Sequence, residues 1–467
     1  MGRPAILSDA FLVKRRGAEA LERAQRRRLG QLVEFARARS PYYRELYGGL
    51  PPGVDEPARL PPTGKPELLA RFDDWATDRE ITLERVLAFV GDLDRVGEPF
   101  LGRYLAVTSS GTTGINTFVV VDQRALAVAD ALRLRALSSW LGVSGFAGLA
   151  RRGGRTAVVS ATHGHFTGAG LTRRRGLRRR AAKALSVLAP IPDLVDELNG
   201  FRPAVLSGYA SVIGMLAAEQ AAGRLRIDPV LVASSAEALT AEEFERVGRA
   251  FGARHRSTYA AAECHFIAHG CERGWLHLNA DWAMLEPVDG DGGPVPPGEL
   301  SQGALLTNLA NRAQPLIRYA LDDRVLVSPE PCPCGSPLPA LRVEGRSADL
   351  ITLEGPDGRV GVPPQPMAML LSGIAGIEAF QLVQTDPSRL RLRLRPAPEA
   401  DAELAWRTAQ EALRGFLAER GLGSVVIERG QESPQQSAGG KTRKFIPLQP
   451  GSITSTRSSG NTTCPAE

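Results

Sequence analysis

The apolar positions of the first fifty residues fall at helical spacing. Leu21, Leu29, Leu32, Val33 and Phe35 recur among many arginines, which predicts helix over residues 10 to 47, ending in Ser40-Pro41-Tyr42-Tyr43. From about Arg155 to Ser257 the pattern changes to strand, loop, helix. Thr156 to Ser160 is an apolar strand that breaks at His163-Gly164-His165. Ala204 to Ser207 is a second, followed by a helix through Met215 and Leu216. Val230 to Ser234 is a third, and Thr240-Ala241-Glu242-Glu243 opens the next helix as a capping box. Such alternation predicts an α/β sheet core. Residues 275 to 327 are mostly β in pattern, with a turn at Asp289-Gly290-Asp291-Gly292-Gly293.

A second, smaller unit is expected from about Asp349. Phe380 to Thr385 and the strictly alternating Leu390-Arg391-Leu392-Arg393-Leu394 are strands. Residues 400 to 419 follow as a helix with Leu404, Leu413, Phe416 and Leu417 on one side, stopped at Gly421, and Val425 to Ile427 is a further strand. The expected organisation is a large α/β domain over 1–348, a small α+β (ββαβ) domain over 349–448, and a disordered Ser/Thr-rich tail over 449–467. No internal repeat is apparent.

Composition narrows the class. At 467 residues, 43% hydrophobic and 23% charged, the chain has the profile of a folded soluble protein of two or three domains. The longest weakly polar run, Leu137 to Ala150, is too short and too broken by Gly and Ser to span a bilayer. The first residues lack a signal-peptide apolar core, and Ile6 stands where myristoylation requires Ser or Thr. Five cysteines make no disulfide framework, so a cytoplasmic, reducing compartment is expected. A net charge of +6 is too dilute to imply nucleic acid. Oligomeric state is not encoded in any visible pattern. Within the 57 basic residues, however, only Lys14, Lys65, Lys183, Lys441 and Lys444 are lysine. A lysine inside a motif therefore stands out.

The segment Thr108-Ser109-Ser110-Gly111-Thr112-Thr113-Gly114 combines two glycines with hydroxyls, whose N–H and O–H donors suit phosphate oxygens. It is not a Walker loop, because no Lys-Ser/Thr follows and the β-rich Phe118 to Val121 comes next. By itself it is equally a polar hairpin tip. Other segments give it company. Ser235-Ala236-Glu237, Tyr259-Ala260-Ala261-Ala262-Glu263, Pro315-Leu316-Ile317-Arg318-Tyr319 leading to Asp323, Gly345-Arg346-Ser347-Ala348-Asp349 and Gly440-Lys441 follow in order. In these motifs the chain resembles the adenylate-forming superfamily of acyl-CoA synthetases, in its phenylacetate–CoA ligase-like branch. The early Ser40-Pro41-Tyr42-Tyr43 and Gly64-Lys65-Pro66-Glu67-Leu68 also look like this branch, and the resemblance spans roughly residues 20 to 448. The chain departs from the family at Ile115-Asn116, where Lys-Pro is usual, and matches Tyr-Gly-x-Thr-Glu only at Tyr259 and Glu263.

The resemblance implies ATP-dependent activation of a carboxylic acid, aryl or arylacetic, with transfer of the acyl group to CoA. Ser109 to Gly114 would hold phosphates, Ala236 and Glu237 would lie near adenine, and Tyr259 would stack on it. Asp323 would accept from the ribose hydroxyls, which one carboxylate can do with its two oxygens. Glu263 would hold Mg²⁺, a hard cation suited to carboxylate and phosphate oxygens. Lys441 would place its point charge between the acyl carboxylate and the α-phosphate. Arg346 would join Lys441 and Glu263 as a catalytic residue, and with Asp349 it would border the hinge of a mobile C-terminal lid. His163 and His165, after a central strand, would reach the acyl pocket, or else form a solvent-facing turn. Arg173 to Arg175 and Arg178 to Arg180 form the densest basic run and are expected to be a solvated helix face.

Cys271, His277, Cys332 and Cys334 supply the ligand types of a closed structural zinc site, and many members of the branch carry this pattern. Reduced, buried cysteines are the alternative; Cys264 and His269 are nearby reserves. Two other chemistries stay open within the resemblance: an amine or other non-CoA acceptor in specialised metabolism, and adenylation of a phenolic cofactor. A catalytically inactive zinc-containing binding protein is the reading from another class.

Overall fold

The structure is a computed structural model. It describes residues 2–12, 17–108, 117–160, 165, 181–186, 189, 191–235, 239, 241–346, 351–355, 358–362, 367, 370–371, 374, 376–418, 421–435 and 444–448. The chain divides into two compact units, Met1–Ser347 with Gln436–Lys441, and Ala348–Gln435 with Thr442–Glu467.

The first unit opens with helices α1 (Arg3–Leu12), α2 (Ala18–Arg39) and α3 (Pro41–Leu46), so the expected single run over 10 to 47 is interrupted. The break has a local cause. Ser40 is extended (φ −102°, ψ 120°), as a residue before proline prefers, and its Oγ accepts the Tyr43 N–H at 3.3 Å to restart the helix. Two short helices, α4 (Lys65–Ala70) and α5 (Phe72–Trp75), and α6 (Leu83–Gly91) follow. Tyr43, Tyr47, Leu68, Trp75, Val86 and Phe89 close one core around Leu316, Ile317 and Tyr319.

Strands β1 (Leu105–Thr108) and β2 (Phe118–Val121) pair antiparallel, with Thr108 opposite Phe118. Asp122 then caps α7 (Gln123–Arg151), its carboxylate accepting the Ala125 N–H at 2.7 Å. Gly142 bends this helix at φ +55°, a backbone state glycine enters without steric cost. Beyond the bend, α7 lies close against the sheet. A Cβ on Gly148 would stand 2.8 Å from Val230. Arg135 of α7 makes a two-pronged pair with Asp281 (2.8 and 3.0 Å), both side chains 1% exposed, and also donates to the Ala10 carbonyl and to Asn279. That guanidinium joins α1, α7 and the 279–281 turn.

The alternating middle of the chain folds as expected into strands and crossover helices. These are β3 (Thr156–Ser160), β4 (Ala182–Ser186), α8 (Ile191–Phe201), β5 (Val205–Tyr209), α9 (Ala210–Ala221), β6 (Leu231–Ser235), α10 (Ala241–Phe251) and β7 (Arg254–Tyr259). They stand in the parallel order β4-β3-β5-β6-β7. Val159, Leu206 and Val232 pack against Leu198, Ile213, Leu216 and Val247 on one face, while Trp140 and Leu141 of α7 pack with Leu231 on the other. The chain reverses direction across the sheet between β3 and β5. Ligand sites of such sheets lie at the carboxyl ends of the strands near that reversal. His165 follows β3, Tyr259 ends β7 and Glu263 comes four residues after it.

Antiparallel strands β8 (Ala268–Gly270) and β9 (Leu276–Leu278) extend the sheet, and β10 (Ala283–Val288), β11 (Gly303–Asn308) and β12 (Leu316–Leu321) form a separate three-stranded sheet. The turn at Asp289 forms as expected, with the Asp289 carboxylate accepting the Asp291 and Gly293 N–H groups at 3.0 and 2.7 Å. Strands β13 (Asp323–Val327) and β14 (Ala340–Arg346) complete the large sheet beside β9.

The second unit holds a hairpin of β15 (Ile351–Gly355) and β16 (Gly358–Val362), then β17 (Ile377–Asp386), β18 (Arg389–Pro396), helix α11 (Ala402–Ala418), β19 (Val426–Arg429) and β20 (Phe445–Ile446). The sheet order is β19-β18-β17-β20, so the expected ββαβ core gains the first hairpin and a final parallel strand. The helix buries Ala405, Ala409, Leu413 and Leu417, whereas Leu404 is 55% exposed. Leu404 precedes Leu413 by nine residues, two and a half turns, so the two point to opposite sides. Gly421 follows the helix at φ +72°, as its expected stop. No helix among the described residues is long and apolar enough to cross a membrane.

His255 of β7 is 3% exposed. Its Nδ1–H donates to the Phe244 carbonyl (2.9 Å), its Nε2 accepts from Ser234 Oγ (2.7 Å), and its ring stacks on Phe244 at 4.3 Å. Burial pushes its pKa down to about 4, with Arg256 adding to the effect. The folded state thus holds the neutral ring, while the unfolded chain takes up a proton near pH 6.5. Stability should be full above that pH, fall as pH drops towards about 4 by about 3 kcal/mol, and level off below. Urea midpoints measured against pH should show this slope, and His255→Gln should flatten it. Identical slopes in both proteins would exclude the assignment.

Candidate functional site

Two phenol–carboxylate pairs meet at the ends of neighbouring elements. Tyr259, last residue of β7, donates its hydroxyl to Asp323 at 2.6 Å. Tyr319 of β12 donates to Glu263 at 3.2 Å. All four side chains are nearly closed off, with exposures from 3% to 9%. Burial, then the adjacent Glu263 carboxylate, pushes the Tyr319 phenol well above its ordinary range, so it remains a donor. The Tyr259 ring lies in an apolar cluster with Ile267 and Leu278, and its hydroxyl is committed to the residue expected at the ribose.

A backbone irregularity aims Tyr319. Strands β11 and β12 pair Leu306 with Tyr319, then slip so that Asn308 meets Leu316. The slip is taken up by Arg318, whose φ is +48°, in the left-handed region that a side chain other than Gly rarely occupies. Its neighbours fix it there. Its N–H donates to Thr307 Oγ at 2.9 Å, its guanidinium spans Glu286 (3.2 Å) and reaches the Leu60 carbonyl (2.6 Å). Thr63 brackets it further, donating N–H to the Arg318 carbonyl and Oγ–H to that of Ile317, and accepting from Ala320 N–H. Upstream, the Pro315 carbonyl accepts both Tyr43 O–H (3.0 Å) and Trp75 Nε1–H (2.6 Å). The early segments around Ser40 to Tyr43 and Gly64 therefore support the strand that carries Tyr319.

Three amides escaped sequence reasoning. Asn308 donates to the Glu263 carbonyl at 2.9 Å, Asn311 donates to the Val120 carbonyl at 3.0 Å, and Gln314 accepts the Val120 N–H at 2.7 Å. They tie β2, and so the end of the glycine-rich segment, to Glu263. Their signal was a run of amides at every third position ahead of Pro315.

Other candidates sort as follows. Ser109, Ser110, Gly111, Thr112, Thr113, Gly114, His163, Ala236, Glu237, Asp349 and Lys441 lie outside the described residues, as do the arginine run and the tail. The flanks of the glycine-rich segment are placed. Thr108 N–H donates to the His165 carbonyl at 2.9 Å, and Thr117 bonds the Tyr319 hydroxyl. Arg346 ends β14, where its backbone pairs with Asp323. His165 is no solvent-facing turn residue. It is 2% exposed, bonded through Nε2 to the Asp92 carbonyl (2.9 Å) and packed on Phe89.

A second centre gathers Cys271, His277, Cys332 and Cys334, whose ligand atoms all lie within 4.8 Å of one another. Cys271 and Cys332 Sγ are 3.8 Å apart, and Cys334 Sγ is 3.1 Å from His277 Nε2. His277 Nδ1–H donates to the Leu338 carbonyl at 3.1 Å, which leaves the Nε2 lone pair facing the thiols. Burial first, then the neighbouring cysteines, pushes the Cys334 thiol up to about 12. Three crowded thiols and an imidazole could hold a metal ion. The reserves Cys264 and His269 fall outside this group, His269 being bonded to Asn279.

No family profile matches the chain. A phenylacetate–coenzyme A ligase of Thermus thermophilus is 28% identical over 389 residues, 78% of each chain. Among solved structures, a 2-hydroxyisobutyryl-CoA ligase in a postadenylation state with R3-HIB-AMP matches with a TM-score of 0.66 at 22% identity, covering 93% of this chain and 90% of that one. An anthranilate-CoA ligase in complex with anthranoyl-AMP matches at 0.51 and 18% identity, over 72% and 64% of the respective chains. The chain is thus similar over most of its length to a phenylacetate–coenzyme A ligase and shares the fold of a 2-hydroxyisobutyryl-CoA ligase.

Proposed function

We propose that the chain is an acid–CoA ligase. It joins a carboxylic acid, aryl or arylacetic, to the α-phosphate of ATP with release of pyrophosphate, then passes the acyl group to the thiol of CoA with release of AMP. The observation that carries this reading is the pair of buried carboxylates, Glu263 and Asp323, each held by a tyrosine hydroxyl at strand ends.

The roles follow from charge. Asp323 accepts from the ribose hydroxyls once Tyr259 yields, and Tyr259 offers adenine its ring. Tyr319 fixes the rotamer of Glu263. A Mg²⁺ ion bound through Glu263 would neutralise charge on the ATP phosphates. The donors of Ser109 to Gly114 hold the β- and γ-phosphates, and Ala236 and Glu237 line the adenine. Lys441 supplies the cation between the two approaching anions, where a preorganised charge matters most. Arg346 and Asp349 form the hinge by which the second unit serves both half-reactions.

The thiol–imidazole centre fits zinc. A tetrahedron with Zn–S bonds near 2.3 Å has ligand–ligand edges of about 3.7 Å, close to the 3.8 Å between Cys271 and Cys332. Zinc there would cross-link the 271–277 hairpin to the 332–334 knuckle, a structural function. Reduced thiols of this kind suit a cytoplasmic location.

ATP–pyrophosphate exchange over aromatic and aliphatic acids, with and without CoA, tests the reading. Wild type should exchange, and Lys441→Ala should lose about 100-fold or more in rate. Exchange without thioester formation would point to an amine or other acceptor. No exchange with any acid would leave the phenolic-cofactor or binding-protein readings. Tyr319→Phe should lower kcat/KM by about tenfold, the worth of one hydrogen bond to a charged group, with the fold intact by circular dichroism. Metal analysis of the full chain under reducing, chelator-free conditions should find about one zinc per chain. Cys332→Ser should release it and lower Tm by several degrees; zinc-free wild type would reject the site.

A further inference from the structure

The thiol–imidazole centre of Cys271, His277, Cys332 and Cys334 poses a charge problem. Holding a divalent ion there requires the thiols to ionise. Three thiolates and a neutral imidazole around a divalent cation leave one negative charge uncompensated. Cys271, His277 and Cys332 are buried. An unbalanced charge in such surroundings is costly unless an opposite charge stands close by.

Arg256 is placed to supply that charge. It lies on β7, whose pairing with β8 sets Thr258 opposite His269 and Tyr259 opposite Ala268. Counting back along the same antiparallel register puts Ser257 opposite Gly270 and Arg256 opposite Cys271. The strands are close there: a Cβ on Gly270 would stand 2.8 Å from the Ser257 backbone nitrogen. Cross-strand partners on one face have Cβ atoms about 5 Å apart. The Arg256 side chain is 11% exposed, and its Nη2 stands 3.8 Å from the carboxylate of Glu272, the residue after Cys271. That separation makes an ion pair but not a hydrogen bond. Nη1 donates to the His255 carbonyl at 2.7 Å. Nε is buried and meets no hydrogen-bond partner among the described residues. Burial lowers the pKa of Arg256, while Glu272, Cys271 and Cys334 act the other way, so two of the three thiols lie within electrostatic reach. Neighbouring guanidinium groups have other work. Arg342 lies over the Trp275 ring at 4.4 Å, and Arg254 donates to the Leu141 carbonyl and to Ser144 Oγ.

Resting on the zinc reading above, we infer that Arg256 is a positioning residue of the metal centre: its guanidinium balances the surplus negative charge of the thiolates and so raises the affinity of the site for the metal ion. Glu272 competes with the thiolates for the same guanidinium.

The test titrates Zn²⁺ between the full chain and a chromophoric chelator under reducing conditions, comparing wild type, Arg256→Gln and Glu272→Gln. Arg256→Gln should bind zinc about 10- to 100-fold more weakly, the usual effect of removing an outer-shell partner. Glu272→Gln should bind it more tightly, by up to about fivefold, the worth of one exposed ion pair. Opposite signs separate charge from packing, because two merely structural losses would both weaken binding. Tm measured after chelation should agree between wild type and Arg256→Gln, and should part once zinc is added. Wild-type affinity in Arg256→Gln, or unchanged or weaker binding in Glu272→Gln, would overturn the inference and leave the zinc reading intact. An equal loss of Tm with and without zinc would make Arg256 a packing residue and overturn it as well. Should Arg256→Gln fail to fold, Glu272→Gln decides alone: tighter binding upholds the inference, and unchanged or weaker binding removes it. A wild type that takes up neither Zn²⁺ nor Co²⁺ would remove the zinc reading and this inference together.

Discussion

The left-handed backbone at Arg318 is the constraint on which the candidate site depends. Holding a non-glycine residue in that region costs on the order of 1–2 kcal/mol. The hydrogen bond that Thr63 N–H donates to the Arg318 carbonyl, and those that Arg318 gives to Thr307, Leu60 and Glu286, offset it. Without the extra residue, strand alternation would turn Tyr319 to the opposite face. With it, the phenol meets Glu263 while Asp323, four residues on, meets Tyr259. A bulge beside a functional centre re-aims a side chain that a regular ladder could not.

The support for that strand is spread along the chain. Tyr43 and Trp75 reach Pro315, Thr63 bridges Tyr319, and the amides of Asn311 and Gln314 hold β2. Each contact satisfies a buried backbone group that would otherwise carry a desolvation penalty. The helical start is therefore a scaffold for chemistry contributed some 250 residues later. The parallel sheet does complementary work by delivering the ends of β6 and β7 to the same edge as the β3 exit, on the side where ligands of such sheets bind.

Much was legible from residue patterns. Alternation of apolar strands and amphipathic helices between residues 155 and 257 revealed an α/β sheet core, because period 2 and period 3.6 bury different sets of positions. The four-residue Cys/His group was legible from ligand type and from the resemblance, though its members are separated by up to 63 positions in the chain. Leu404 was misplaced because a list of leucines is not a helical face; phase, at 100° per residue, decides which side is buried. The ββαβ unit was seen without its flanking hairpin of five-residue strands and without its two-residue last strand, which pairs with β17 far away in the chain.

The sequence by itself determined which residue types are present to do chemistry, in what order, and which segments alternate or spiral. Tertiary structure alone decided that Tyr319 belongs to Glu263 and that His165 is buried against Phe89. Those outcomes arise from a register slip and from close packing between elements far apart in the chain. Local periodicity carries no information about such non-local contacts.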